Sequence, residues 1–142
     1  MSNDNEIETI RQKKMADMVN KNIVPLPENI VNIESVDHFN TVVNDYKDSL
    51  IIVDFWAPWC SPCIAFGPAF EALQKEYLQA GKNVIFSKLN VDENQAIAQQ
   101  FQVSGIPTTL FIHNKKLVHR QVGMAPKAQF AQIIESVQKK IE

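Results

Sequence analysis

From residue 30 onward the apolar positions switch between runs of four to eight residues and repeats at three and four, the alternation of strands and helices that specifies an α/β layer structure. A short strand is predicted over Ile30 to Ile33. Ser35 then caps a helix carrying Val36, Phe39, Val42, Val43 and Tyr46 on one face. Leu50 to Trp56 is an apolar run suited to a sheet interior, followed at once by a helix from about Cys60 to Gln79. Strand Val84 to Val91 leads to a shorter helix, opened by Asp92 and Gln95 in a capping-box-like arrangement, with Ile97 and Phe101 as its apolar positions. Thr108 to His113 and Lys116 to Val122 flank Asn114-Lys115, a hairpin spacing without the glycine such a turn prefers. Pro126 falls in the first turn of a last helix that buries Phe130, Ile133, Ile134 and Val137. The expected architecture is a mixed sheet of about five strands flanked by four helices. Its two central strands, 50–56 and 84–91, should run parallel through a helical crossover, and its terminal hairpin should be antiparallel.

The first thirty residues stand apart. Ile7, Ile10, Met15, Met18 and Val19 fall roughly on one side of a helix spanning Asn5 to Asn20, with Glu6 and Glu8 early and Lys13, Lys14 and Lys21 late, as the helix dipole favours. Pro25 and Pro27 make Lys21 to Asn29 an extended linker. The expected division is an extension over 1–29 and a domain over 30–142. The extension reads either as a docking element or as a solubilising appendage.

The 142 residues suit one domain, and 45% hydrophobic against 21% charged residues allows it to fold alone. A formal net charge of -2 removes the basic face that nucleic acid would need. No stretch approaches the ~20 apolar residues of a membrane span, and Met1 to Arg11 is too polar for an export signal. The expectation is a soluble, cytoplasmic monomer that engages neither membrane nor nucleic acid.

The two cysteines, Cys60 and Cys63, are too few for a disulfide scaffold or a four-thiolate zinc site. In a reducing compartment a CxxC points to redox catalysis or to metal binding. Cys60 would start a helix, where unpaired N–H groups and the helix dipole lower a thiol pKa, and Cys63 lies one turn further on. Pro62 is tolerated there because a first-turn N–H has no intrahelical partner. Asp54 interrupts an apolar strand, sharing a face with Ile52 and Trp56 opposite Ile51, Val53 and Phe55. Burial would raise its pKa toward neutrality; a solvated strand edge is the competing reading.

Val53-Asp54-Phe55-Trp56-Ala57-Pro58-Trp59-Cys60-Ser61-Pro62-Cys63, then Lys88-Leu89-Asn90-Val91-Asp92, Gly105-Ile106-Pro107-Thr108 and Val122-Gly123, resembles the thioredoxin family in order and spacing over about residues 30 to 142. The resemblance implies the thioredoxin fold and a protein disulfide reductase. Cys60 would be the exposed nucleophile, Cys63 the resolving thiol, Asp54 the group that takes the proton of Cys63, and Lys88 the modulator of that acid. Pro107 matches a cis-proline facing the disulfide, and Ile106 would offer backbone groups to an extended substrate segment. Trp59, Ser61, Pro62, Gly123 and Met124 would complete the substrate surface, with Trp56 packing beneath it. Pro68, after Gly67, would kink the long helix without ending it.

The implied redox carrier is the dithiol itself, without a further cofactor or a metal, and the implied partners are disulfide-bearing client proteins and a thioredoxin reductase. Ser61 stands where glycine is usual and Ile64 where a lysine often follows, so the redox potential is left open. The alternatives are a disulfide oxidase or isomerase, a non-catalytic interaction module, and metal held by paired CxxC sites across a dimer. His38, His113 and His119 are scattered and carry no assigned role.

Overall fold

In the computed structural model, residues 6, 7, 9–11 and 24–142 are described. The apolar runs become five strands: β1 (Val31–Ile33), β2 (Leu50–Trp56), β3 (Val84–Asn90), β4 (Thr108–His113) and β5 (Lys116–Val122). The 3.6-residue repeats become α1 (Val36–Asp45), α2 (Ser61–Gln79), α3 (Gln95–Gln100) and α4 (Lys127–Ile141). The sheet order is β1-β3-β2-β4-β5. β3 is parallel to both β1 and β2, while β4 runs antiparallel to β2 and β5. The mixed sheet of the sequence reading is thus borne out, with β2 at its centre.

Alternation along β2 divides the core in two. Leu50 and Ile52 join Phe66 and Phe70 of α2, Phe86, Phe111, and Phe130 and Ile134 of α4. Ile51, Val53 and Phe55 face the other way onto Phe39 and Val42 of α1 and Ile97 of α3. Edge-on aromatic contacts, such as Phe66 with Phe130 at 5.0 Å between ring centroids, lock the first layer. Ser35 caps α1 by accepting from His38 N at 3.0 Å. Pro68 lies inside α2 without ending it. Asn114 and Lys115 adopt φ of 54° and 65°, the left-handed pair that a two-residue hairpin turn needs even without glycine.

Two expectations are corrected. α3 begins at Gln95 with Asn94 at its N-cap and no side-chain cap, so Asp92 does not open it; its carboxylate is engaged elsewhere. β3 ends at Asn90, because the chain turns there, Glu93 N donating back to Asn90 O at 3.2 Å. Between residues 24 and 29 the linker makes contacts with the domain: Tyr46 Oη donates to Pro25 O at 3.3 Å, Gln74 Nε2 donates to Glu28 O at 3.1 Å, and Leu26 packs against the α1 side of the core. Glu6, Ile7 and Thr9–Arg11 are helical, as the extension's pattern predicts, and the rest of the span from Asn5 to Asn20 expected to be helical lies outside the described residues. Among the described residues no helix is long and apolar enough to cross a membrane.

Candidate redox site

β2 delivers the chain to the carboxyl edge of the sheet at Trp56, where a turn closes with Cys60 N donating to Ala57 O at 3.2 Å. Cys60 is the N-cap of α2, with extended backbone, and its sulfur accepts from Cys63 N at 3.2 Å. The Cα atoms of Cys60 and Cys63 are 5.2 Å apart and the two sulfurs are bonded as a disulfide. A sulfur so placed sits at the positive end of a 19-residue helix with a backbone N–H directed at it. Both features favour the thiolate once the bond is reduced.

The expected exposure of Cys60 needs correction. Cys60 is only 5% exposed and Cys63 2%, because Ala57, Trp56, Val91 and Ile106 pack around the pair. Cys60 remains the more accessible of the two, and its Sγ lies 3.7 Å from Ile106 O.

Around this small opening is a rim of exposed apolar groups. Trp59 is 69% exposed, yet its Nε1 donates to both carboxylate oxygens of Asp92, at 3.0 and 3.3 Å. Ser61 and Pro62 are exposed on the first turn of α2, followed by exposed Ile64. The Ile106-Pro107 peptide is cis. Gly123 N donates to Pro107 O at 2.8 Å, and the φ of 88° at Gly123 is one that other residues rarely adopt. Val122 and Met124, on either side of it, are exposed. The structure therefore brings Trp59, Ser61, Pro62, Ile106, Pro107, Gly123 and Met124 to one edge, and adds Val122 and Asp92, which the sequence reading did not assign. Val122 is the exposed last residue of β5, and no alternation along that strand marks it; nothing local signals the pairing of Asp92 with Trp59.

Beneath the pair, Asp54 is fully buried in β2, and neither carboxylate oxygen has a hydrogen-bond partner. Burial pushes its pKa from 3.8 to about 7, against the opposing pull of the Lys88 cation. The solvated-edge reading of Asp54 is thereby removed. Lys88 is the register partner of Asp54 on β3 and is half-buried, with its Nζ 4.5 Å from the centroid of the Trp56 ring. Phe66 and Phe70 cover the same sheet face as Ile52, so Cys63, one helical turn before Phe66, falls over the Asp54 end of that face. Among the described residues no group of three or more His, Cys, Asp and Glu side chains converges as a metal-ligand set.

The thioredoxin family model matches residues 30–136. A thioredoxin of Haemophilus influenzae is 46% identical over 105 residues, 74% of this chain and 94% of that one. One from Chlorobaculum thiosulfatiphilum is 45% identical over 98 residues, covering 69% and 87%. Among solved structures, Fasciola hepatica thioredoxin superposes with a TM-score of 0.69 at 34% identity, covering 75% of this chain and 98% of that one. A helix-capping cysteine pair at the carboxyl edge of a central strand, a buried carboxylate below it and this likeness along three-quarters of the sequence agree: the chain belongs to the thioredoxin family of thiol-disulfide oxidoreductases.

Proposed function

We propose that the protein reduces disulfides in client proteins with Cys60 as nucleophile, Cys63 as resolving thiol and Asp54 as the base that serves Cys63. In the dithiol state the Cys60 thiolate attacks one client sulfur, forming a Cys60-client disulfide and releasing the other client sulfur as a thiolate that takes a proton. The ionised Asp54 carboxylate then accepts the Cys63 proton. The Cys63 thiolate attacks Cys60 Sγ, forming the internal disulfide and releasing the second client thiol. Two electrons pass to the client, and a thioredoxin reductase returns them to the pair, so that no further cofactor is needed within this chain. Lys88 moderates the acidity of Asp54.

The observation that carries this assignment is the asymmetry of the pair. Cys60 caps α2, accepts the Cys63 N–H and is the more accessible, while Cys63 lies deeper on the Asp54 side. The client would lie extended across Ile106, whose backbone neighbours the cis Pro107, with Trp59, Ser61, Pro62, Gly123 and Met124 making the flanking contacts. The domain in this reading is residues 30–142, acting as a monomer in the cytoplasm, with 1–29 as an appended segment.

Following reduction of a model protein disulfide under limiting dithiothreitol tests the proposal. Acceleration over background is expected, and its absence would overturn the reading. Cys63→Ser should accumulate client mixed disulfides and Cys60→Ser should not; the reverse pattern would exchange the two roles.

A further inference from the structure

The residues in register with Asp54 make a polar row across the whole sheet. Asn32 pairs with Lys88, Lys88 with Asp54, Asp54 with Thr109, and Thr109 with Gln121, one from each of the five strands. Residues in register on paired strands project from the same sheet face. In the neighbouring row Phe86, Ile52 and Phe111 are apolar, and only the β5 end carries a polar group, His119. Exposure falls from either end toward the middle: Asn32 is exposed, Lys88 and Gln121 are half-buried, and Asp54 and Thr109 are fully buried.

Among the described residues, the buried side-chain oxygens and nitrogens without a hydrogen-bond partner are Asp54 Oδ1, Asp54 Oδ2 and Thr109 Oγ1. Leaving a buried hydroxyl and a buried carboxyl both unpaired is unfavourable, and such atoms are uncommon in folded proteins. Directly opposed residues of an antiparallel pair have Cβ atoms about 4.5–5.5 Å apart, within which a threonine hydroxyl reaches an aspartate oxygen by rotation about χ1.

We propose that Thr109 is a positioning residue for Asp54, its hydroxyl turning to donate to the carboxylate when the acid is ionised. On β5 the register partner of Thr109 is Gln121, whose side chain is hydrogen-bonded to His119, so the Thr109 hydroxyl is left to Asp54. The consequence is specific to the charged form. A hydroxyl donor stabilises the carboxylate and offsets part of its burial, so Asp54 returns to its proton-accepting state at a lower pH than burial alone would allow. This rests on the assignment of Asp54 as the base for Cys63.

Among the described residues, few groups face Asp54. β3 presents Lys88, α2 presents Cys63 at its first turn, and β4 presents Thr109. On β5 the titratable group of that face is His119, stacked edge-on against Phe111; burial first and then Lys140 of α4 hold its pKa down, while a hydrogen bond with Gln121 pulls it up. The remaining charges near Lys88, Glu71 and Lys75, pair with each other at 3.5 Å on the outside of α2.

The test is the Asp54 titration, read by carboxyl carbon NMR on the full oxidised chain. Thr109→Val removes the hydroxyl at nearly constant shape and should raise the Asp54 midpoint by about one pH unit, the scale of a hydrogen bond to a charged group. Thr109→Ser keeps the hydroxyl and should hold the parent midpoint, while Thr109→Ala should shift as Val does, covering the case in which Val does not pack. The rising limb of the pH–rate profile for resolution of the mixed disulfide should move with the midpoint. A parent midpoint in Thr109→Val and Thr109→Ala, or a serine variant that shifts as far as they do, would overturn the proposal. Turnover of Asp54→Asn against the parent separately reports whether Asp54 is the base, so the two failures are distinguishable.

Discussion

Asp54 and Lys88 are register partners on adjacent parallel strands, yet the lysine does not sit on the carboxylate: its Nζ lies 4.5 Å from the Trp56 ring centroid, and both Asp54 oxygens are unpartnered. A cation over an indole face is favourable where water is partly excluded, and an ion pair inside the core would have to strip both charges of water. The arrangement leaves the acid influenced by a nearby positive charge without being neutralised by it. Removing that charge with Lys88→Met should raise the Asp54 midpoint above about 7, because the cation is what opposes burial. A carboxyl NMR titration decides the matter, and an unchanged midpoint would mean that Lys88 does not reach the acid.

The raised pKa of Asp54 also makes stability depend on pH. The folded state holds the proton more tightly than the unfolded chain, so between 3.8 and about 7 the native form binds more protons and stability falls as pH rises. The loss is complete above the folded value and amounts to roughly 4 kcal/mol at most for a displacement of this size. Asp54→Asn should therefore match the parent near pH 4 and exceed it by up to about that amount at pH 8, as read from denaturant midpoints. The same variant should resolve mixed disulfides more slowly. Equal stability across the whole range would show that the carboxylate is solvated after all.

Much of this was legible along the chain because it is local. The charge inside the run from Leu50 to Trp56, the Ser35 cap and the helix start at the CxxC are all set by neighbours within a turn or a strand. Asn114-Lys115 marked the hairpin by spacing alone, and the backbone takes left-handed values there without glycine. What was not legible depends on register between strands distant in sequence. The row from Asn32 to Gln121 exists only once β1, β3, β2, β4 and β5 are ordered, and Thr109 looks like an ordinary strand threonine until it faces Asp54. The limited access to Cys60 arises likewise from Ile106, forty-six residues away. Asp92 was misread because a nearby capping pattern competed with a partner on another loop, Trp59.

Asp92 could serve either the start of α3 or the Trp59 indole, and its hydrogen bonds go to the indole. If it serves Trp59 rather than α3, Asp92→Ala should leave amide exchange across Gln95–Gln100 unchanged and lower kcat/KM for protein disulfides by about fivefold, corresponding to ~1 kcal/mol for an exposed charged hydrogen bond. Trp59→Phe should give a similar loss. The double variant should be little worse than either alone, since both remove one contact. Additive losses in steady-state kinetics would show that the indole and the carboxylate act independently.

Residues 24–29 are tied to both sides of the domain, by Tyr46 of α1 through Pro25 O and by Gln74 of α2 through Glu28 O, and Leu26 adds apolar contact with the α1 layer. Two net hydrogen bonds and a half-buried leucine together contribute roughly 2–3 kcal/mol. Deleting residues 1–22 leaves all three contacts in place and should retain turnover. Deleting residues 1–29 removes them and should lower the melting temperature by about 10 °C relative to the 1–22 truncation while turnover at 25 °C is retained, because none of the three contacts reaches the Cys60–Cys63 edge. Equal melting temperatures for the two truncations would show that the segment adds nothing to the domain. A loss of activity on removing 1–22 would show that the extension takes part in catalysis.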